Sequence, residues 1–230
     1  REPWRLYLLY LPEFRSDSTL FGTQSFRWDV FHRKGDRNFS LRGRILDTRS
    51  LNNRLVGAGE QLQRTEYSLQ ARNSAGAATS LESTLWLSRL DRWSGLLQLY
   101  YIDTYGVESM LYRRLSRTME LRLTGEYRVS RENRQDLSAQ LLGITPHLAY
   151  ALTGRGRITA EAGWSEVFSD AAALPYEMTS GRGIGSNYHW SAGISYRLGE
   201  NLNLSGSYRG ESRVGRPVIH TGRMELRAFF

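Results

Sequence analysis

The chain has 230 residues, a formal net charge of +8 and no cysteine. The lack of cysteine excludes disulfide frameworks and thiolate metal sites, whereas the basic balance is compatible with partners that carry negative charge. The longest apolar run, residues 6–11, is far shorter than the roughly 18 residues that a membrane helix needs.

Alternation of apolar and polar residues at period two recurs along the chain, and it predicts strands because it would scatter apolar residues around a helix. It is clearest from Met119 to Val129, where glutamate, arginine and threonine fill the intervening positions. About thirteen strands are predicted from this pattern and from turn residues between them. They span residues 4–11, 24–33, 38–47, 60–72, 79–90, 94–103, 107–115, 118–129, 138–152, 156–168, 187–198, 201–210 and 218–230.

Two features favour a membrane barrel over a soluble sandwich, in which strands also have one apolar face. The polar face carries full charges, and aromatic residues occur near strand ends, as in an interfacial girdle. The aromatic examples are Trp28, Trp86, Trp164, Tyr188 and Tyr208. We therefore predict an all-β fold, an antiparallel up-and-down transmembrane β-barrel in the bacterial outer membrane.

Short turns alternate with longer connections, which predicts a periplasmic and an outer side. The predicted periplasmic turns are residues 91–93, 115–118, 153–156 and 198–201, and the predicted outer loops are residues 130–136, 169–187 and 210–217. The segment of residues 48–59 is too long for an ordinary periplasmic turn, and we expect it to contact another part of the structure or a partner. Residues 96–101 are apolar on both faces, which indicates contact with a plug, a partner or another part of the chain.

The odd number of strands is unusual, because bacterial single-chain barrels have an even number and every strand in lipid must pair. The sequence also starts at Arg1, without Met and without an apolar leader. We therefore expect residues 1–230 to form one outer-membrane barrel domain, the C-terminal part of a longer chain, completed by upstream strands or by another chain.

Charged residues on the polar faces of the strands are the candidate functional residues. The predicted lumen-facing set is Arg42, Arg44, Glu120, Arg122, Glu126, Arg128, Glu161, Arg197, Arg209, Glu225 and Arg227. They either form cross-strand ion pairs that stiffen the interior or ring an aqueous path that favours anions. Ion pairs are the favoured interpretation, because acids alternate with the arginines.

No catalytic, metal or cofactor site is expected. The histidines, His32, His147, His189 and His220, lack metal-ligand spacing, and no Gly-x-Ser-x-Gly motif is present. A serine hydrolase site would need a serine near a histidine, and the candidates are His147 with Ser138 and His189 with Ser186 or Ser191. No residue in the sequence is identified that would orient either imidazole. The glycine-rich residues 181–185 lack a βαβ context and are interpreted as a flexible loop.

The C-terminal strand alternates by twos back from the last residue. The residues in this alternating series are small or apolar: Gly222, Met224, Leu226, Ala228 and Phe230. The charged residues Arg223, Glu225 and Arg227 stand between them. This ending resembles the β-signal of outer-membrane proteins, although Ala228 stands where many of them carry a large residue. The resemblance implies recognition by the barrel-assembly machinery and a last strand that closes the barrel. Residues 208–210 and 220–223 also resemble the ends of large outer-membrane proteins with a C-terminal barrel.

Three functions are compatible with these patterns. The first is a transport, translocation or complex-scaffold barrel, in which other outer-membrane or periplasmic subunits supply specificity. The second is a passive porin that favours anions, which a plugged lumen would contradict. The third is a soluble basic module that stacks nucleic acid on aromatic residues. We prefer the transport, translocation or scaffold barrel. We expect outer-membrane lipid and lipopolysaccharide to surround it, and we expect no nucleic acid as a partner.

Overall fold

The computed structural model describes residues 4–16, 19–52, 60–76, 78–94, 97–152 and 155–228. Within these ranges the chain forms twelve strands and one short helix, α1 (Tyr176–Thr179). The strands are β1 (Arg5–Ser16), β2 (Thr19–Lys34), β3 (Arg37–Asn52), β4 (Glu60–Ala75), β5 (Thr79–Ser94), β6 (Leu97–Arg114), β7 (Met119–Glu132), β8 (Leu137–Leu152), β9 (Gly156–Phe168), β10 (Gly185–Gly199), β11 (Leu202–Ser212) and β12 (Ile219–Ala228).

The strands form a single antiparallel sheet in which each strand pairs with the next one in the chain. This up-and-down order confirms the predicted all-β class. No ladder between β1 and β12 is present among the residues that the structure describes. No helix in the described part of the chain is long and apolar enough to cross a membrane.

The predicted number of thirteen strands is wrong, because one continuous strand, β6, replaces the predicted strands 94–103 and 107–115. The two predicted strands leave residues 104–106 between them, and in the structure these residues lie inside β6. In the structure Gly106 pairs with Trp86 of β5, whose indole ring covers it without interrupting the ladder. The number of described strands is therefore even, and an odd count no longer argues for further strands.

The sheet has two faces of different chemistry. The face that we call apolar carries large exposed side chains, including Leu85 (54% exposed), Tyr188 and Leu198 (48% each). A soluble sandwich would cover this face with a second layer. No second sheet is formed by the described residues, so the apolar face is the outer surface of the fold.

The two ends of the sheet differ in the lengths of their connections. Residues 35–36, 115–118 and 200–201 join strands at the short-turn end, whereas residues 133–136, 169–184 and 213–218 join strands at the other, long-loop end. The three predicted outer loops thus share one end.

Two other predictions about the ends of the sheet concern residues 91–93 and 48–59. The assignment of residues 91–93 to the short-turn end is wrong, because they lie in β5 where it reaches the long-loop end. Predicting two strands in place of β6 adds one connection, and the extra connection assigns each earlier connection to the opposite end of the sheet. The predicted contact of residues 48–59 falls mostly on residues 53–59, which lie outside the described residues.

Candidate functional site

The second face of the sheet, which we call the polar face, carries the predicted lumen residues. The strand register places all eleven on this face: Arg42, Arg44, Glu120, Arg122, Glu126, Arg128, Glu161, Arg197, Arg209, Glu225 and Arg227. Gly222, Met224, Leu226 and Ala228 of the predicted assembly signal lie on the apolar face. Phe230 lies outside the described residues. The role of these five residues as an assembly signal stays a prediction.

Ion pairs on the polar face join side chains of different strands. Arg42 of β3 donates a hydrogen bond to Asp29 of β2, and Arg157 lies 3.3 Å from the Glu120 carboxylate, two strands away. Glu161 lies 3.6 Å from the His189 ring across the β9–β10 pair. Acids and arginines on this face thus engage one another, which supports the ion-pair interpretation of the charged set.

The long connection between β9 and β10, residues 169–184, folds back onto the polar face; we call it the inner loop. Its helix α1 contacts β6, β7 and β8. Met178 of α1 is 1% exposed and packs in a buried cluster with Ile102 and Ala139. Leu90, Tyr100, Leu137 and Leu174 surround this cluster. Tyr100, in a segment predicted to face a plug or another part of the chain, therefore packs against the inner loop.

Polar contacts also bind the inner loop to the strands. Arg182 donates a hydrogen bond to the Glu126 carboxylate at 3.1 Å. The Ser130 hydroxyl donates to the Met178 carbonyl at 3.3 Å, in a buried position. Arg213, beyond β11, donates to the Gly181 carbonyl at 3.1 Å. The inner loop is thus bound both to β7 and to the connection that precedes β12.

The path of the inner loop depends on two residues with left-handed backbone. Ser180 has φ 55° and Gly181 has φ 78°, directly after α1. Glycine adopts such values without a steric penalty, and a Cβ at residue 181 would lie 2.5 Å from Tyr176 Cε2. The chain can therefore reverse after one helical turn and bring Arg182 back towards β7. The interpretation of residues 181–185 as a flexible loop stays a prediction.

A change in the alternation of β8 marks where the inner loop docks. Leu137, Ala139 and Leu141 lie on the polar face, while Ser138 and Gln140 lie on the apolar face. Ala139 and Leu141 are 3% and 2% exposed. The first residues of β8 therefore place apolar side chains on the polar face, whereas β7 places Glu126 and Arg128 there. The inversion is visible in the sequence of residues 137–141 and is the signal from which a covered surface could be predicted.

A cavity of about 390 Å³ lies between the inner loop and the strands. Its lining includes the side chains of Arg64, Trp86 and Arg128 from the strands, hydroxyl groups from neighbouring positions, and Tyr176 and Glu177 of α1. Trp86 was predicted to belong to an interfacial girdle, and that prediction is wrong because its register places it on the polar face. The other four predicted girdle residues, Trp28, Trp164, Tyr188 and Tyr208, lie on the apolar face.

Arg128 is the most enclosed charged side chain of this cavity. Its side chain is 13% exposed, and its Nη1 donates a hydrogen bond to the Ser180 hydroxyl at 3.2 Å. Nε and Nη2 are buried and make no hydrogen bond with any described residue. The nearest acid contact, Glu126 Oε1 at 3.9 Å from Nε, is too long for a hydrogen bond.

The sheet separates two of the three histidine–serine pairs considered from the sequence. The third pair, His189 with Ser191, shares a face, and the expectation that nothing orients its imidazole is wrong, because the Glu161 carboxylate lies 3.6 Å from His189 Nε2. His147 lies on the polar face and Ser138 on the apolar face of β8. His189 is likewise on the polar face, opposite Gly163, whereas Ser186 is on the apolar face beside Glu166. Ser191 shares the face of His189. The expectation that the chain is not an enzyme stays a prediction.

Comparison with known proteins supports the fold and not a sequence family. No protein-family model matches the chain, and no curated protein matches it. Among solved structures, the ferric-catecholate import receptor Fiu from E. coli K12, in its open form, is similar with a TM-score of 0.54 and 11% identity. That match covers 98% of this chain and 55% of the Fiu chain, so this chain spans about half of that protein.

Two autotransporter structures are similar at lower TM-scores. The beta domain of the Bordetella autotransporter BrkA gives 0.49 at 14% identity, covering 100% of this chain and 99% of that one. The translocator domain of NalP from Neisseria meningitidis gives 0.35 at 12% identity, covering 92% and 82%. The match to Fiu, together with the sheet order, confirms the predicted fold, an antiparallel up-and-down β-barrel of the outer-membrane type.

Proposed function

We propose that this chain is an integral β-barrel of the bacterial outer membrane that acts in transport or translocation, with a lumen lined by the polar face and narrowed by the inner loop. One observation carries the proposal. The inner loop is docked on the polar face through the buried Met178 and the ion pair between Glu126 and Arg182, while large apolar side chains are exposed on the other face.

The exposed apolar face supports a location in lipid. Strands of a membrane barrel alternate apolar residues towards lipid with polar residues towards the interior. Leu85, Leu87, Tyr105 and Ile144 are each more than two-fifths exposed on this face. In water such a surface would be unfavourable, because full burial of a large apolar side chain contributes about 1.5–3 kcal/mol and each of these half-exposed side chains forgoes part of it. A soluble nucleic-acid module is therefore disfavoured.

The docked inner loop favours a gated or occupied path over a passive porin. A wide, open pore needs a lumen free of folded chain, whereas here residues 169–184 occupy the polar face at the long-loop end. The acids among the arginines also argue against a purely anion-selective channel. Fiu, the structure of similar fold, is named as an import receptor, which agrees with a transport role for a barrel of this kind.

The partners that we propose follow from this location. Outer-membrane lipid and lipopolysaccharide would contact the apolar face and the basic residues near its edge. The barrel-assembly machinery would act on the last strand, and other outer-membrane or periplasmic subunits would supply specificity. Catalysis and nucleic-acid binding are not part of the proposal.

The test measures ion conductance after reconstitution of the chain in planar bilayers. In one variant residues 171–183 are replaced by glycine and serine at the same length, which removes Met178 and Arg182 and undocks the inner loop. In the control variant residues 133–136, another connection at the long-loop end, are replaced in the same way. Folding of each variant is verified by the mobility shift of a β-barrel on boiling.

The proposal expects a larger conductance for the first variant than for the wild type and the control. An equal conductance in folded protein would show that the inner loop does not narrow a path. Failure of the wild type to enter detergent or lipid, with solubility in plain buffer, would instead reject the membrane location and return the nucleic-acid module to consideration.

A further inference from the structure

The first strand, β1, places apolar side chains on the polar face of the sheet. Tyr7 and Leu9 pair with Asp29 and Arg27 of β2 and therefore lie on that face, and Leu11 continues the row towards the long-loop end. Each of these three apolar side chains is at least two-fifths exposed. Contiguous exposed apolar surface beside polar residues is typical of an interaction site.

Phe31 of β2 extends this apolar surface. Its ring meets the ring of Tyr7 edge to face, with 5.9 Å between the centroids, an arrangement that aromatic pairs prefer. Together with Leu9, the two rings line an open cavity of about 1120 Å³ at the short-turn end of the sheet. Small-molecule sites occupy roughly 300–1,000 Å³, so this cavity has room for a ligand with a chain as well as a head group.

The lining of the same cavity has an excess of positive charge. Among the described residues that line it, Asp29 is the one acid, and the arginines are Arg5, Arg27, Arg33 and Arg72. Asp29 is buried and accepts hydrogen bonds from both Arg27 and Arg42. Its charge is therefore already compensated, and the other arginines determine the electrostatic character of the cavity.

Arg5, Arg33 and Arg72 are exposed to the solvent of the cavity. No ion pair joins any of them to an acid within the described ranges, and the one hydrogen bond of Arg33 goes to the Gly35 carbonyl at 3.4 Å. The strand register places Arg5, Phe31 and Arg72 in one row across β1 to β4. Adjacent strands lie about 4.8 Å apart, so roughly 14 Å separates the backbones of Arg5 and Arg72, and their long side chains can approach one anion from two sides.

The acid that stands beside this row is engaged elsewhere. Glu82 of β5 lies opposite Arg72, but its carboxylate accepts a hydrogen bond from Gln70 at 2.8 Å, and Glu82 does not belong to the cavity lining. An anion that enters the cavity would therefore meet accessible guanidinium groups together with an apolar wall.

We propose that this cavity binds an anionic amphiphile, a carboxylate or phosphate head group on an alkyl chain, with the head between Arg5 and Arg72 and the chain along Tyr7 and Leu9. Guanidinium groups donate paired hydrogen bonds to either kind of head group, and the chain and the exposed side chains leave water together. The inference rests on the proposed function, because it treats the polar face as the lining of a lumen, and it names a class of solute for that lumen. Residues 171–183, which the conductance test replaces, do not line this cavity, so either proposal can fail without the other.

The test is equilibrium dialysis of the full folded chain in phosphatidylcholine nanodiscs, with empty nanodiscs to subtract partition into lipid. Radiolabelled octanoate and octyl phosphate carry both parts of the proposed ligand, whereas octanol carries the chain alone and inorganic phosphate the head alone. The wild type binds octanoate or octyl phosphate saturably, at one site per chain, and the tighter of the two identifies the head group. Octanol and inorganic phosphate bind at least roughly tenfold more weakly, because each lacks one set of contacts.

Two variants, each with a matched control, test the two parts of the site. Arg5→Gln combined with Arg72→Gln weakens binding of the better probe by roughly tenfold and leaves binding of octanol unchanged; Arg122→Gln, exposed on the polar face of β7 outside the lining, binds as the wild type does. Leu9→Ser weakens binding of the better probe by roughly fivefold, because the chain loses an apolar contact. Its control is Leu6→Ser, on the apolar face of the same strand and outside the lining. The mobility shift on boiling verifies that each variant is folded.

A wild type that enters the nanodiscs but binds neither octanoate nor octyl phosphate above the empty nanodiscs overturns this proposal alone. Equal affinity for octanol would show that the arginines do not bind the head group. An equal loss in Arg122→Gln and in the double variant would show a general attraction of anions to a basic surface, and an equal loss in Leu6→Ser and Leu9→Ser would reject the apolar wall. A wild type that enters no nanodisc rejects the membrane barrel together with this proposal.

Discussion

Trp86 and Gly106 form a cross-strand pair in which the indole ring occupies the space that a side chain at residue 106 would need. A Cβ built on Gly106 would lie 2.5 Å from Trp86 Cζ2. The pairs of Trp28 with Gly43 and Trp190 with Gly210, on the apolar face, show the same overlap. At these three positions the glycine leaves room for an indole ring over the backbone.

We expect Gly106→Ala to destabilise the folded barrel by about 1–3 kcal/mol, because the added methyl group overpacks against a large rigid ring. Gly125→Ala, in the neighbouring strand, is the control, since a Cβ there meets no atom within 4 Å. Urea unfolding in lipid vesicles measures both variants. If Trp86→Ala does not relieve the effect of Gly106→Ala in a double-mutant cycle, the explanation by overlap is wrong.

Docking of the inner loop should depend on Met178 more than on any exposed residue of α1. Met178→Ala removes a side chain that is 1% exposed, and such truncations lower stability by about 2–5 kcal/mol. We expect amide hydrogen exchange in residues 170–184 to accelerate, with little change in the strands. Tyr176→Ala, at a side chain that is 70% exposed in the same helix, should have a small effect. Equal acceleration in the two variants would contradict the buried cluster as the anchor.

The ion pair between Glu126 and Arg182 should add a smaller contribution to docking. Both side chains are partly exposed, at 21% and 31%, so the pair is expected to contribute only about 0.5–1 kcal/mol. Glu126→Arg should speed exchange in the inner loop, and the double reversal Glu126→Arg with Arg182→Glu should slow it again. The control is Arg157→Glu, which disrupts a pair with Glu120 on the same face without touching the inner loop. Failure of the double reversal to restore protection would argue against direct pairing.

The proposed contact of the apolar face with lipid predicts different outcomes for neighbouring residues of β5. Leu85→Arg places a charge on a side chain that is 54% exposed on the apolar face, and we expect a loss of about 2–4 kcal/mol near the bilayer midplane. Thr84→Arg places the same charge on the polar face, opposite Glu108, and should be tolerated. The folded fraction in vesicles, measured by the mobility shift on boiling, compares the two. Similar losses in both variants would contradict lipid contact at Leu85.

Much of the strand pattern could be predicted because period two is a strong local property. The alternation from Met119 to Val129 matches β7, and all eleven charged residues predicted for one face share that face. The wrong break at residues 104–106 has a physical cause. A glycine between apolar segments has the local character of a turn, and only its partner across the sheet, Trp86, shows that the strand continues.

The candidate site was less predictable, because it depends on contacts between distant segments. Met178 reaches Ile102 and Ala139 only after the sheet has formed, and no local pattern places a short helix inside a barrel. The inverted alternation at Leu137 and Leu141 was the available indication of a covered surface. The unpaired edge of Arg128 follows from its neighbours in space, so no sequence pattern reveals it.

The even number of described strands has a consequence for sidedness. Arg5, at the start of β1, and Ala228, at the end of β12, both lie at the short-turn end of the sheet, opposite the inner loop. A reporter epitope fused beyond either strand should therefore resist proteases added to intact cells, whereas one inserted into residues 213–218 should be cleaved. With thirteen strands the two fusions would have emerged on opposite sides of the membrane.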